Sequence, residues 1–174
     1  DTAITDDKIW IASEMGGILC WDIHDKHYPQ YTELDGLLSN KVNTVAVDMD
    51  GNLWCGTDFG AQQFDGQTWL SYTTADGLAD TCVAGIFADS NNTIWFWYPP
   101  KSNKGLTRFD GQAWETFNEI DVTDRIYDIA EDLSGTIWIA SWANISTFDG
   151  ISWKNYRNEL SNFTTPILDI VVDE

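Results

Sequence analysis

The stretch VNTVAVDMDGNLWCGTDFGAQQFDG, residues 42–66, decides the fold class. VNTVAVD (42–48) is apolar at 42, 45, 46 and 47, the pattern of a strand covered on both faces. MDGN (49–52) is a tight turn, with Asp-Gly as a hairpin signal. LWCGT (53–57) is a second strand and AQQF (61–64) a third, closed by Asp65-Gly66. TWLSYT (68–73) alternates aromatic and polar residues and is a fourth. The DGL segment at 76–78 leads onward. No segment carries a sustained 3.6-residue apolar period, so essentially no helix is expected.

The same unit recurs along the chain. Trp54 belongs to a column with Trp10, Trp95 and Trp138. An Asp precedes the last three by six residues, at Asp48, Asp89 and Asp132, and a β-branched residue precedes each Asp by six, at Val42, Val83 and Ile126. Ile167 and Asp173 repeat that spacing near the C-terminus. Phe-Asp-Gly occurs at 64–66, 109–111 and 148–150, each followed by an outer Trp (Trp69, Trp114, Trp153) and then an aromatic (Tyr72, Phe117, Tyr156). The first repeat keeps the outer pair as Tyr28 and Tyr31 but reads Ile-His-Asp at 23–25 in place of Phe-Asp-Gly. Four-stranded units of this length in radial array make an all-β β-propeller of antiparallel blades. One blade cannot cover both of its faces alone, so the column Trp residues are expected between blades. The blades fall at approximately 1–40, 41–81, 82–124 and 125–165, with 166–174 a first-type strand able to close onto blade one. A closed four-blade ring competes with part of a larger propeller. An open arc would expose an apolar blade face and so imply a partner, a homodimer or further blades completing the ring.

Composition agrees. The 174 residues include ten Trp, and Lys+Arg number 9 against Asp+Glu 28, a net charge of −19. That field repels nucleic-acid phosphates and anionic headgroups, so neither nucleic acid nor a membrane is an expected partner. No apolar run is long enough to span a bilayer. The opening DTAITDDK lacks the basic stretch and apolar core of a signal peptide, though a removed one stays open. Only seven of the acids are Glu, and the Asp excess belongs to turns. Cys20, Cys55 and Cys82 show no metal spacing and read as small apolar strand residues.

The phrases at 42–66 and RIYDIAEDLSGTIWIASWANISTFDG at 125–150 resemble the two-component regulator propeller repeat, as does the linking pattern GL-x-x-N/D before the first strand. That resemblance implies the extracytoplasmic (periplasmic or extracellular) sensor region of a bacterial hybrid system. It implies an oligosaccharide or other small molecule as ligand, and no cofactor. Three departures stand out. Repeat one lacks Phe-Asp-Gly, repeat three has Asn91-Asn92 where Gly is usual, and no kinase or DNA-binding part accompanies the repeats.

Off-pattern residues are the candidates for function. Repeat three spends 14 residues between Trp95 and Phe109, against 10 in repeats two and four. The insertion carries Trp97, Tyr98, Lys101 and Lys104, with Arg108 beside them as a basic island. Trp142 occupies the equivalent loop of blade four, where blade two has Asp58 and blade one Glu14. Aromatic faces next to polar donors suit a sugar, and propeller geometry brings these loops and the fourth-to-first-strand connections to one face. The plainer reading is loop packing by the aromatics and solvated lysines. His24 and His27 with Asp22 and Asp25 are a weaker metal candidate, because a rim turn lacks supporting contacts. DMDGN (48–52) begins like a calcium loop but has Phe59 at the twelfth position. No nucleophile motif accompanies the histidines, so no catalytic residue is assigned. Glu14 and Asp58 leave glycosidase or lyase chemistry as the alternative to binding, and a purely structural assembly module as a third.

Overall fold

The computed structural model describes residues 1–172 apart from 26, 103, 118–124, 143, 158, 161 and 163. Four separate four-stranded antiparallel sheets follow one another along the chain. Blade one is β1 (Thr2–Ile4), β2 (Lys8–Ala12), β3 (Ile18–Asp22) and β4 (Gln30–Tyr31). Blade two is β5 (Val42–Val47), β6 (Leu53–Thr57), β7 (Gly60–Phe64) and β8 (Trp69–Tyr72). Blade three is β9 (Gly85–Ala88), β10 (Ile94–Trp97), β11 (Leu106–Phe109) and β12 (Trp114–Phe117). Blade four is β13 (Ile126–Glu131), β14 (Ile137–Ser141), β15 (Asn144–Phe148) and β16 (Trp153–Asn155). The helical content among the described residues is a single 3-10 turn, Glu33–Asp35. It is a capping box in which Thr32 and Asp35 satisfy each other, and Thr73 with Asp76 makes the same reciprocal bonds before blade three.

The recurring Asp and Trp are one device. Asp48 accepts the amides of Asp50 and Asn52 on one oxygen and the Trp54 indole N–H on the other, at 2.8 Å. Asp89 does the same for Asn91, Thr93 and Trp95, and Asp132 for Ser134, Thr136 and Trp138. The carboxylate thus shapes the turn between first and second strands and orients the indole into the gap between blades. With the Asp48 oxygens taken by the chain's own donors, the DMDGN segment is a turn. Asn92 sits at φ 63, the place of Gly51 and Gly135 in the other turns, and its side chain bridges to Met49 and Asp50 of blade two.

The second recurring Asp caps the outer hairpin. Asp65, Asp110 and Asp149 each accept two amides across the turn, and so does Asp22, from His24 and Asp25. Trp21-Asp22-Ile23 therefore occupies the Phe-Asp-Gly position, two residues before the Ile-His-Asp expected there. The register confirms it: Ile9 faces Trp21 as Leu53 faces Phe64. These amide donors hold all four carboxyls below the usual range, and Asp132 is lowered by Ser134 and its indole partner. A lowered folded value stabilises the fold above the unfolded value near ~3.9 and is lost as pH falls through it. Asp128 acts oppositely, since burial raises its carboxyl and protonation favours the fold. With Asp58, which is lowered too, six groups against one predict stability falling below about pH 4. Asp65→Asn should flatten that slope in urea titrations run at stepped pH.

Each junction between consecutive blades holds its own hydrophobic cluster. Trp10 is buried against Val45 and Phe64, Trp54 against Phe96 and Phe109, and Trp95 against Ile139 and Phe148. Each of these three indoles meets the next blade's third-strand Phe edge-on and stacks or tilts over an aromatic of its own fourth strand. No cluster joins blade four to blade one among the described residues; Trp138 is half-buried and stacks on Tyr156. Gly77, at φ +137, is required where the Trp114 indole crosses it, because a Cβ there would lie 2.3 Å from the ring. Cys20 and Cys55 are buried strand residues, whereas Cys82 lies on the connection before β9. Burial pushes the Cys55 thiol up to about 12.

Candidate functional site

The first strands β1, β5, β9 and β13 line a central cavity of about 470 Å³. A β-bulge at the start of β5 and of β13 turns one extra side chain, Asn43 or Tyr127, toward it. Above it lies a second cavity of about 420 Å³, and the two share Asp1, Asn43 and Ala84. Glu14 and Asp58, from the second-to-third-strand loops of blades one and two, meet here with Lys41 and Cys82 from the connections and Pro99 from the blade-three insertion. The loops and connections thus share one face, as their topology requires. Lys41 donates to Asp58 at 2.8 Å, Asn43 donates to its other oxygen at 2.9 Å, and the Cys82 thiol donates to that oxygen at 3.4 Å. Asn43 and Lys41 hold the Asp58 carboxyl below the usual range; burial, then Asp58, push the Cys82 thiol up to about 11.

Trp97 lines the central cavity. Its indole lies over Gly85, where an added Cβ would fall 1.9 Å from the ring. In the other blades this strand position bears Asp1, Thr44 or Asp128, whose oxygens accept the backbone N–H of Val45, Ile86 or Ile170 in the next segment. Blade three gives up that seam bond and presents an aromatic face instead.

Tyr98 is elsewhere. It is 5% exposed, and its hydroxyl donates to Thr107 and accepts the Ala79 amide. In blade two the Gln62 side chain does the same work, accepting the Leu38 amide and donating to Gly36 and Ser71. Tyr98 therefore anchors the incoming connection and shows no ring face to a ligand. Lys101 and Lys104 are exposed and line neither cavity. Arg108 is not part of their island: its guanidinium lies over Trp95, Phe117 and Phe148 and pairs with Glu115 at 2.6 Å. Trp142 is half exposed and bridges to Pro166, outside both cavities. His24 pairs with Asp7 at 3.0 Å in the open, and His27 is exposed. Lys41, Asn43 and Asp1 were missed in the sequence, and only their position at the start of first strands hinted at them.

The family model for the two component regulator propeller matches residues 36–59, from the connection through β5 and β6. That segment is a two component regulator propeller repeat. No curated protein sequence matches the chain. Among solved structures, the chain is similar to the extracellular domain of a putative hybrid two component system from B. thetaiotaomicron, with 21% identity and a TM-score of 0.77. That match covers 95% of this chain and 24% of the other, so the chain spans about a quarter of that propeller protein. It is also similar to PorZ, a bacterial surface component of the type-IX secretion system of Porphyromonas gingivalis, at 19% identity, TM-score 0.69, and 96% and 26% coverage. An inactive virginiamycin B lyase from Staphylococcus aureus matches at 13% identity, TM-score 0.73, and 90% and 54% coverage. These likenesses establish the propeller fold. No helix among the described residues is long and apolar enough to cross a membrane.

Proposed function

We propose that this propeller repeat array is a non-catalytic sensor-type module that binds a neutral oligosaccharide in the joined cavities, outside the cytoplasm. The observation that carries the reading is the blade-three exchange at Gly85, where an architectural hydrogen bond is replaced by the Trp97 indole in a cavity that also presents the side-chain oxygens of Asp1, Thr44 and Asp128. Asp1, Asp128, Glu14 and Asp58 surround the space, and Lys41 is already paired. An acidic rim of this kind disfavours anionic ligands and suits hydroxyl donors, while an indole face takes the apolar face of a pyranose. Asp58 is held ionised by three donors, so it is a hydrogen-bond acceptor and not a proton donor at neutral pH. The extracytoplasmic assignment rests on the same resemblance to regulator propellers.

The test is titration with neutral and acidic glycans, followed by Trp fluorescence. A saturable shift with a neutral oligosaccharide is expected, weakened at least about tenfold in Trp97→Ala by loss of the stacking face. Glu14→Gln should weaken binding with no change in melting temperature, since Glu14 is an exposed loop residue. No saturable response to any glycan would remove the proposal, and release of reducing ends would replace it with glycosidase chemistry.

A further inference from the structure

The outward face of blade four repeats the half-interface that blades one to three use to hold a following blade. The segment 166–172 lies against it in the register of a first strand. Its Ile167 amide bonds the Ser141 carbonyl, as Val42 bonds Ser13 and Val83 bonds Thr57. Its Ile170 amide bonds Asp128, as Val45 bonds Asp1 and Ile86 bonds Thr44. The segment pairs into no sheet, and β1 already holds the first-strand place in blade one. Trp138 is oriented by Asp132 and backed by Tyr156 as Trp54 and Trp95 are by their own carboxylates and fourth-strand aromatics, yet among the described residues no third-strand aromatic meets its edge. Blade one shows the opposite deficiency. Trp21 stands in the Phe64 position, 43% exposed, and among the described residues its ring partner is Tyr28 and not an indole of a preceding blade.

We infer that the blade-four face is an inter-blade interface, and that its occupant is a further blade of this same repeat, built on 166–172 as its first strand. Such a blade must supply three antiparallel strands beyond that segment, with an aromatic-Asp turn ending the third. The aromatic would cover the edge of Trp138. The argument is continuity: all three interfaces in the molecule bury a column indole against the next blade's third-strand Phe, two of them add both seam bonds, and the fourth face carries the indole and both seam bonds already formed.

The experiment appends the chain's own residues 50–81 after Glu174, which restores the turn and the β6–β8 sequence behind the first-type strand. Hydrogen exchange of the 167–172 amides is expected to slow at least about tenfold, because they gain ladder partners. Acrylamide quenching of Trp138, read as the difference from a Trp138→Phe version, should fall. Changing the appended copy of Phe64 to Ala should restore the quenching and keep the exchange protection. Unaltered exchange in the extended chain would overturn the inference. A measurement on the unextended chain is independent of whether the extension folds: Trp138 should be freely quenched in a species that light scattering finds monomeric. Trp138 shielded in a dimer would make a second copy the occupant, and Trp138 shielded in a monomer would mean closure on blade one. Either result overturns the proposal.

Discussion

Trp54→Ala is expected to cost about 3–5 kcal/mol in urea unfolding, the range for removing a large buried aromatic. Trp54 is 2% exposed, stacks on Tyr72 at 5.2 Å, and meets Phe96 and Phe109 edge-on across the junction between blades two and three. Removing it opens a void that backbone pairing within each blade prevents from collapsing, because the strands on both sides are fixed by their own ladders. The control is Trp138→Ala. That residue has the same carboxylate and the same stacked neighbour but no blade across from it, so its loss should be less than half as large. Equal losses at the two sites would show that stability resides within blades and not between them. The unfolding should also lose cooperativity in Trp54→Ala, since neighbouring repeats are coupled mainly through such junctions.

Asp48→Ala should cost about 2–4 kcal/mol, from stranding donors that have no other acceptor. Asp48 is 7% exposed and accepts two turn amides, the Asn52 side chain and the Trp54 indole. Part of the loss is local, in the turn, and part is the aim of the indole into the junction. A double-mutant cycle separates them. In a Trp54→Phe background the indole N–H is gone, and the cost of Asp48→Ala should drop by about 1 kcal/mol. Additive losses would mean that the carboxylate serves the turn alone.

The candidate site was less legible than the fold. Trp97, Glu14 and Asp58, which line the two cavities, were singled out because they break the repeat, and off-pattern positions are where a repeat protein is free to vary. Tyr98 breaks the repeat as well, yet the structure buries it, because Tyr98 with Thr107 substitutes for Gln62 in holding a connection. A departure from pattern signals a changed contact and leaves open whether that contact faces solvent or the interior. Lys41 and Asn43 carried no signal beyond their place at the start of a first strand, since each gains meaning only through Asp58, which lies 15 to 17 positions away in the chain.

The repeat period, the four strands per unit, the turn residues and the columns of Trp and Asp were fixed by local chemistry: alternation, Asp-Gly turns and a six-residue spacing that lets a carboxylate reach an indole. Those are short-range constraints, and the order of residues alone suffices to state them. Which indoles are covered, where Arg108 lies, that Asp22 caps the first hairpin, and that 166–172 lies on blade four while Thr2–Ile4 fills the first strand of blade one were settled only in three dimensions. Each depends on what the neighbouring blade brings to the gap, and residues that touch across a gap lie some 40 positions apart with no local trace of one another.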